Sequence, residues 1–65
     1  MNVVNNKLVS KKVMHSIKVY DMTGKTVLLN NDSTLSFDIS LLRSGFYIVK
    51  VNQKNNETIN YNLIK

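Results

Sequence analysis

The sequence predicts an all-β domain, a small antiparallel sandwich or barrel of five to seven short strands. Apolar residues alternate with period two and not 3.6. Turn clusters of Asn, Asp, Ser and Gly recur roughly every ten residues. Asn occurs ten times, Val and Ile are abundant, and Ala is absent. That mixture suits strands joined by turns, because Ala is the best helix former and β-branched residues fit a pleated surface.

The opening segment, Val3 to Val9, reads as a weak edge strand. Val13, His15, Ile17 and Val19 then share one face of a strand, with Met14, Ser16, Lys18 and Tyr20 on the other. Asp21-Met22-Thr23-Gly24 follows. Asp first and Gly fourth are the preferred ends of a type I turn. The carboxylate accepts from an N–H two residues on, and Gly24 is free to take positive φ. Lys25 to Asn30 continues as a strand with Val27 and Leu29 alternating, which makes a β-hairpin. Asn30 to Ser33 is a second turn cluster.

Leu35, Phe37 and Ile39 line one face of the next strand. Asp38 or Ser40 is placed to cap a single helical turn through Leu41, Leu42 and Arg43. Gly45 is expected to end that turn with positive φ. Phe46 to Val51 is the most apolar strand. Tyr47, Val49 and Val51 lie on one side, Phe46 and Ile48 on the other, which predicts a central position. The Tyr47 ring is expected in the core with its hydroxyl satisfied at the rim. Gln53 to Glu57 forms a turn. In the last strand Ile59, Tyr61 and Leu63 face in, while Thr58, Asn60 and Asn62 face out.

A chain of 65 residues and 7.4 kDa is one domain, residues 1–65. Folding would reduce its accessible area from about 10,700 Å² to about 4,200 Å². With about 60% of the buried surface apolar, burial contributes on the order of 95 kcal/mol, and ordering the chain costs about the same. The balance is near zero, so stability is marginal and a large enclosed active site is close to excluded. Without Cys there is no disulfide, thiolate chemistry or Cys-based zinc site. The single histidine, His15, leaves no two-His metal site within one chain. No run approaches the length of a membrane-spanning helix. The N-terminus lacks the basic and apolar regions of a secretory signal peptide.

The net charge is +5, carried by eight scattered lysines and Arg43. Nucleic-acid readers cluster their cations and favour Arg, whereas scattered Lys suits solvated strand edges. Residues 43–49 superficially resemble the aromatic strand of an RNA recognition motif. The small residue between the aromatics is missing, and so are the helices that back such a sheet. His15 has no nucleophile or carboxylate motif beside it, and no Ser sits in a nucleophile elbow. Asp21 and Asp38 stand where turns and caps want Asp. Asn31-Asp32-Ser33 and Asn56-Glu57-Thr58 match the glycosylation pattern, which Asn-rich turns produce by chance. The reading contains no catalytic, cofactor-binding or metal residue, no cofactor, and no nucleic-acid partner.

The order of these elements resembles a known family. Residues 17–25, Ile-Lys-Val-Tyr-Asp-Met-Thr-Gly-Lys, are similar to the strand–turn signature of the type A C-terminal sorting domain of the type IX (Por) secretion system. The second half of that signature follows in Asp38-Ile39-Ser40, Leu42 and the run Gly45 to Val51. The ending Asn62-Leu63-Ile64-Lys65 resembles the family's short apolar, lysine-bearing terminus. The resemblance covers residues 13–65, with 1–12 as a weak or truncated first strand. This chain has no Pro and so lacks the family's usual Asn-Pro opening. The lysine common a few residues before the end is replaced by Asn60, Tyr61 or Asn62.

The resemblance implies a small Ig-like β-sandwich at the C-terminus of proteins exported by Bacteroidota. It would fold in the periplasm and direct its cargo through an outer-membrane translocon to the cell surface or medium. A sortase-like peptidase would then remove it. The domain would have no chemistry of its own. Asp21, Gly24, Asp38, Leu42, Gly45 and Tyr47 would fix the fold. Leu63, Ile64 and Lys65 would present an end for a receptor to hold by strand addition or by its carboxylate. With no export signal after Met1, a fragment of a longer exported protein is expected, its cargo missing. The alternative on the same fold is an Ig-like or fibronectin-like structural or adhesion module of a surface protein, with no role in export.

Overall fold

Six strands, all paired antiparallel, are present in the computed structural model, which describes residues 1–54 and 57–65. They are β1 (Asn2–Val4), β2 (Lys7–Tyr20), β3 (Thr26–Asn30), β4 (Thr34–Asp38), β5 (Phe46–Gln53) and β6 (Thr58–Ile64). The all-β antiparallel class and the strand number agree with expectation. The layers arise from one hydrogen-bonded sheet that curls on itself. The long β2 pairs with β1, β3, β4 and β5, and β5 then pairs with β6. Met14 faces Thr34 of β4 on one edge of β2 and Gln53 of β5 on the other. Thus β3 and β4 follow one another along one edge, and β1 and β5 along the opposite edge. Leu8 and Met14 from the first part of β2 join Ile17, Val19, Ile39, Leu42, Val49, Val51 and Leu63 in one core.

The predicted face of β2 is corrected at its first half. Met14 is fully buried, while Val13 is 42% exposed and His15 is exposed. The cause is a β-bulge: Met14 opposes Gln53 and Ser16 opposes Asn52, so His15 is an extra residue on β2. One inserted residue moves the inward set from even to odd positions. Leu8 and Met14 therefore point the same way as Ile17 and Val19. A second bulge corrects β3. Val19 opposes Leu28 and Tyr20 opposes Thr26, leaving Val27 unpaired. Leu28, and neither Val27 nor Leu29, packs against the core.

In β4, Phe37 opposes Leu8 and packs inward, and Ile39 beyond it is fully buried. Leu35, expected on the same face, is exposed, because it falls where the register with β2 breaks between Val9 and Met14. The helical turn after Asp38 is also corrected. Leu42 N–H donates to the Ile39 carbonyl at 3.1 Å, and the turn goes no further. Gly45 is not its left-handed cap: its φ of 159° is all but extended, and it leads into β5. Strand β5 is central, as predicted, with β2 and β6 on its two edges. Tyr47, Val49 and Val51 do face in, yet Phe46 and Ile48 open to solvent. In β6 the predicted alternation holds for Tyr61 and Leu63, and Ile59 is half-exposed at the strand's start.

Two turns differ in how visible they were. The Asp21 turn is as expected: Gly24 N–H donates to the Asp21 carbonyl at 3.0 Å, and Gly24 takes φ 87°. Asn30 and Asp32 exchange two local hydrogen bonds in the second turn. By contrast, the weak opening strand is two strands joined by Asn5-Asn6. Both Asn have positive φ, 51° and 62°, the signature of a two-residue type I′ hairpin. Asn6 also accepts the Ile39 N–H on its carbonyl at 2.9 Å, which ties this hairpin to the end of β4. The turn expected over Gln53–Glu57 is closed by Gln53 N–H on the Glu57 carbonyl at 2.7 Å, and its Asn55 and Asn56 lie outside the described residues, as does the glycosylation triplet's Asn56.

The strained pair gives a stability prediction. Asn6→Gly should raise the melting temperature slightly, and Asn6→Val should cost about 1–2 kcal/mol, since a β-branched residue is forced into left-handed geometry. Equal melting of the two variants would contradict the I′ turn.

Candidate functional site

The chemistry-bearing side chains converge on the loop between β4 and β5 and on Lys65, the residue after β6. Asp38 Oδ1 accepts from the Ser40 N–H at 2.8 Å and starts the loop; Ser40 does not act as the cap. Leu42 drops into the core. The Tyr47 hydroxyl donates to the Arg43 carbonyl at 2.7 Å, so its ring packs against the core while its oxygen holds the loop. A Cβ added at Gly45 would meet the Tyr47 ring at 3.8 Å, an ordinary contact.

The terminal residue completes the arrangement. Lys65 N–H donates to the Gly45 carbonyl at 2.9 Å, and Gly45 N–H donates to the Lys65 carbonyl at 2.8 Å. This reciprocal pair extends the β5–β6 ladder by one rung. The Lys65 ammonium folds back under the loop and donates to the Ile39 carbonyl at 2.6 Å and the Leu42 carbonyl at 2.8 Å. One side chain thereby adds a second donor to the Ile39 carbonyl, which already accepts the Leu42 N–H, and satisfies the Leu42 carbonyl that the unfinished turn leaves over. The expected recognition trio is therefore split. Leu63 is buried in the core, Lys65 is committed to the loop, and Ile64 points out at 73% exposure.

Strand β6 is also an edge. Among the described residues it pairs only with β5. In an antiparallel ladder, hydrogen-bonded and non-bonded pairs alternate. Counting back from the Gly45–Lys65 pair, Asn60, Asn62 and Ile64 turn their N–H and C=O groups to the open side.

The Asp21 turn stands apart from this cluster. Asp21 Oδ1 accepts from Thr23 N–H at 2.9 Å, the Thr23 hydroxyl at 2.5 Å and Lys25 N–H at 3.1 Å. The Thr23 hydroxyl is the main reason that its pKa lies below the usual value, with the backbone donors adding to it. Asp38 is lowered chiefly by the Ser40 N–H. Both carboxyls act within their own turns and do not form a pair. His15, the bulged residue, has its Nδ1 3.0 Å from the Ser33 hydroxyl. A groove of about 560 Å³, lined in part by Lys12, Val13, His15 and Gln53, is open to solvent. Lys54 and Glu57 also line it, and no hydrogen bond joins His15 to a carboxylate among the described residues.

What the arrangement offers is a fixed fold with a defined terminal strand. The model of the secretion system C-terminal sorting domain matches residues 1–65, the whole chain. The chain belongs to that family. No curated protein and no solved structure matches it. A sorting domain of the type IX system is a secretion signal for the cargo attached to it, and this family is not enzymatic. Its role implies contact with the secretion machinery, and a cargo that reaches the cell surface or medium. The match includes residues 1–12, which the resemblance had left aside. The Lys65 clamp was missed by sequence reading, because nothing in a terminal lysine's neighbours says that its ammonium returns to carbonyls more than twenty residues earlier.

Lys65→Met keeps the stem and removes the donors. It should cost about 2 kcal/mol, on the order of 10 °C in Tm for a domain of this size; unchanged melting would show that the ammonium does not hold the loop. The carboxylates set the acid limit. Each has a folded pKa below its ordinary 3.8, so its stabilisation is complete above that value and is lost as pH falls through the folded pKa. Thermal midpoints should hold from neutral to about pH 4 and fall below it, and Asp21→Asn with Asp38→Asn should flatten that fall. An acid profile identical in the double variant would reject this assignment.

Proposed function

We propose that the domain is held by an outer-membrane translocon along the free edge of β6, by addition of a receptor strand. The domain folds in the periplasm, the cargo passes through, and a sortase-like peptidase cuts ahead of β1. The observation that carries this reading is the open edge of β6 beside a rigidly clamped last residue. Strand addition draws affinity from main-chain hydrogen bonds and specificity from alternate side chains. A pre-ordered edge binds without the cost of ordering a tail. In this scheme Asp21, Gly24, Asp38, Leu42, Gly45 and Tyr47 hold the fold. Leu63 and Lys65 hold the strand, and Ile64 is the side chain offered to the receptor. Removing residues 63–65 would therefore unfold the domain as well as remove its label.

The test fuses a signal peptide and a fluorescent protein ahead of the complete chain in a type IX-competent host. Fluorescence is expected on the surface or in the medium. Asn62→Pro removes an N–H from the open edge without touching the ladder to β5. It should leave a folded domain and a cargo trapped in the periplasm, while Asn62→Ser is exported normally. Export of the Asn62→Pro fusion at the parental rate would refute strand addition.

A further inference from the structure

The outward face of the sheet has an organisation that the edge of β6 does not explain. Tyr20 opposes Ile48, Lys18 opposes Lys50, and Phe46 opposes Ile64. At one end Phe46 is 61% exposed and Ile64 73%, with Ile48 beside them and Met22 of the hairpin turn, 70% exposed, lining the same shallow groove. Next along the sheet stand Lys18 and Lys50, both exposed and directly across from one another. The neighbouring rungs place Leu29 against Lys18 and Asn60 against Lys50. Lys50 Nζ sits 5.5 Å from the centre of the Tyr20 ring.

Like charges directly opposite on antiparallel strands are destabilising. Asp21, which lines a groove of this face with Tyr20, Ile48 and Lys50, has Oδ1 taken up by its own turn. The face thus combines an apolar patch with two cations that have no ion-pair partner among the described residues, on a chain of net charge +5. An exposed apolar patch on a small domain marks an interaction surface, and the uncompensated pair specifies the complementary charge.

We propose that this face docks a protein of the secretion machinery through a surface bearing apolar side chains beside a carboxylate. The carboxylate sits between Lys18 and Lys50 while the apolar groups cover Phe46, Ile48, Ile64 and Met22. The inference rests on the reading of the chain as a secretion signal and names the chemistry of the partner. A protein fits better than a lipid surface. Lys18 and Lys50 stand on one rung at one end of the patch, directly across from one another, so that one carboxylate can lie between them, and they do not ring the patch as membrane cations do.

Lys18→Glu separates docking from folding, because it turns the repelling pair into an ion pair. The purified variant should melt at or above the parent temperature. Its fluorescent fusion should nevertheless be exported roughly tenfold less, since a carboxylate on the partner now meets a like charge. Lys18→Arg should be exported normally. Phe46→Ser, altered on the same exposed face, should also lose export at unchanged melting. Export of Lys18→Glu and Phe46→Ser at the parental level overturns the inference and leaves the secretion role standing. Failure of the unaltered fusion to leave the periplasm overturns both. Binding of the unaltered domain to vesicles of phosphatidylcholine and phosphatidylglycerol, abolished by Lys18→Glu, assigns the face to lipid and also overturns it.

Discussion

One strand carries the whole architecture, and it does so by changing face part-way. Four of the other five strands hydrogen-bond to β2, two along each edge. A strand that serves both halves of a curled sheet has to keep its apolar side chains on the concave side while the sheet bends. Strict alternation fails in a bent strand of fourteen residues. The extra residue at His15 solves this by resetting the phase, so Met14 and Ile17 both point inward although they are three apart. The inserted position itself faces solvent, which suits a polar residue with a hydroxyl neighbour in Ser33.

The second dependence runs through the last residue. Lys65 closes the β5–β6 ladder at Gly45 and caps two carbonyls of the loop that precedes β5. Tyr47 and Asp38 hold the same loop from the other side. In a domain whose accessible surface, 4635 Å², exceeds the roughly 4,200 Å² expected for its mass, few contacts are redundant. Lys65 is therefore part of the fold and not an appendage on it. For a secretion signal this has a physical consequence. The terminal strand reaches its displayed geometry only when the core beneath it is complete.

Much of the fold was legible because its signals are local. The Asp21–Gly24 turn depends on residues four apart, and the central strand on a run of apolar residues; both appear where read. Alternation in β6 also survived, since nothing interrupts its pairing with β5. The strand faces that are misread lie where a long-range pairing inserts or skips a residue. His15, Val27 and Leu35 each sit at a register shift, and register belongs to two strands at once. The Asn5-Asn6 hairpin is a local signal too, but a weaker one, because two consecutive Asn take left-handed geometry less readily than the commoner Asn-Gly. Of the terminal trio, the alternation already placed Leu63 inward. The return of the Lys65 ammonium to Ile39 and Leu42 depends on tertiary folding alone.

The division of labour between the two faces follows from size. A 65-residue domain has enough apolar residues to bury one side of a curled sheet and little to cover the other. Its inner face is therefore specified by packing, and its outer face is free to vary. Yet the outer face is not filled with neutral polar residues. It retains Phe46, Ile64 and Met22 at high exposure and sets Lys18 against Lys50, choices that lower solubility and stability together. A structural spacer would gain from replacing them. A label that must be recognised on unrelated cargoes has to carry its recognition chemistry on its own surface, and a small sheet has only its open face and its open edge on which to carry it.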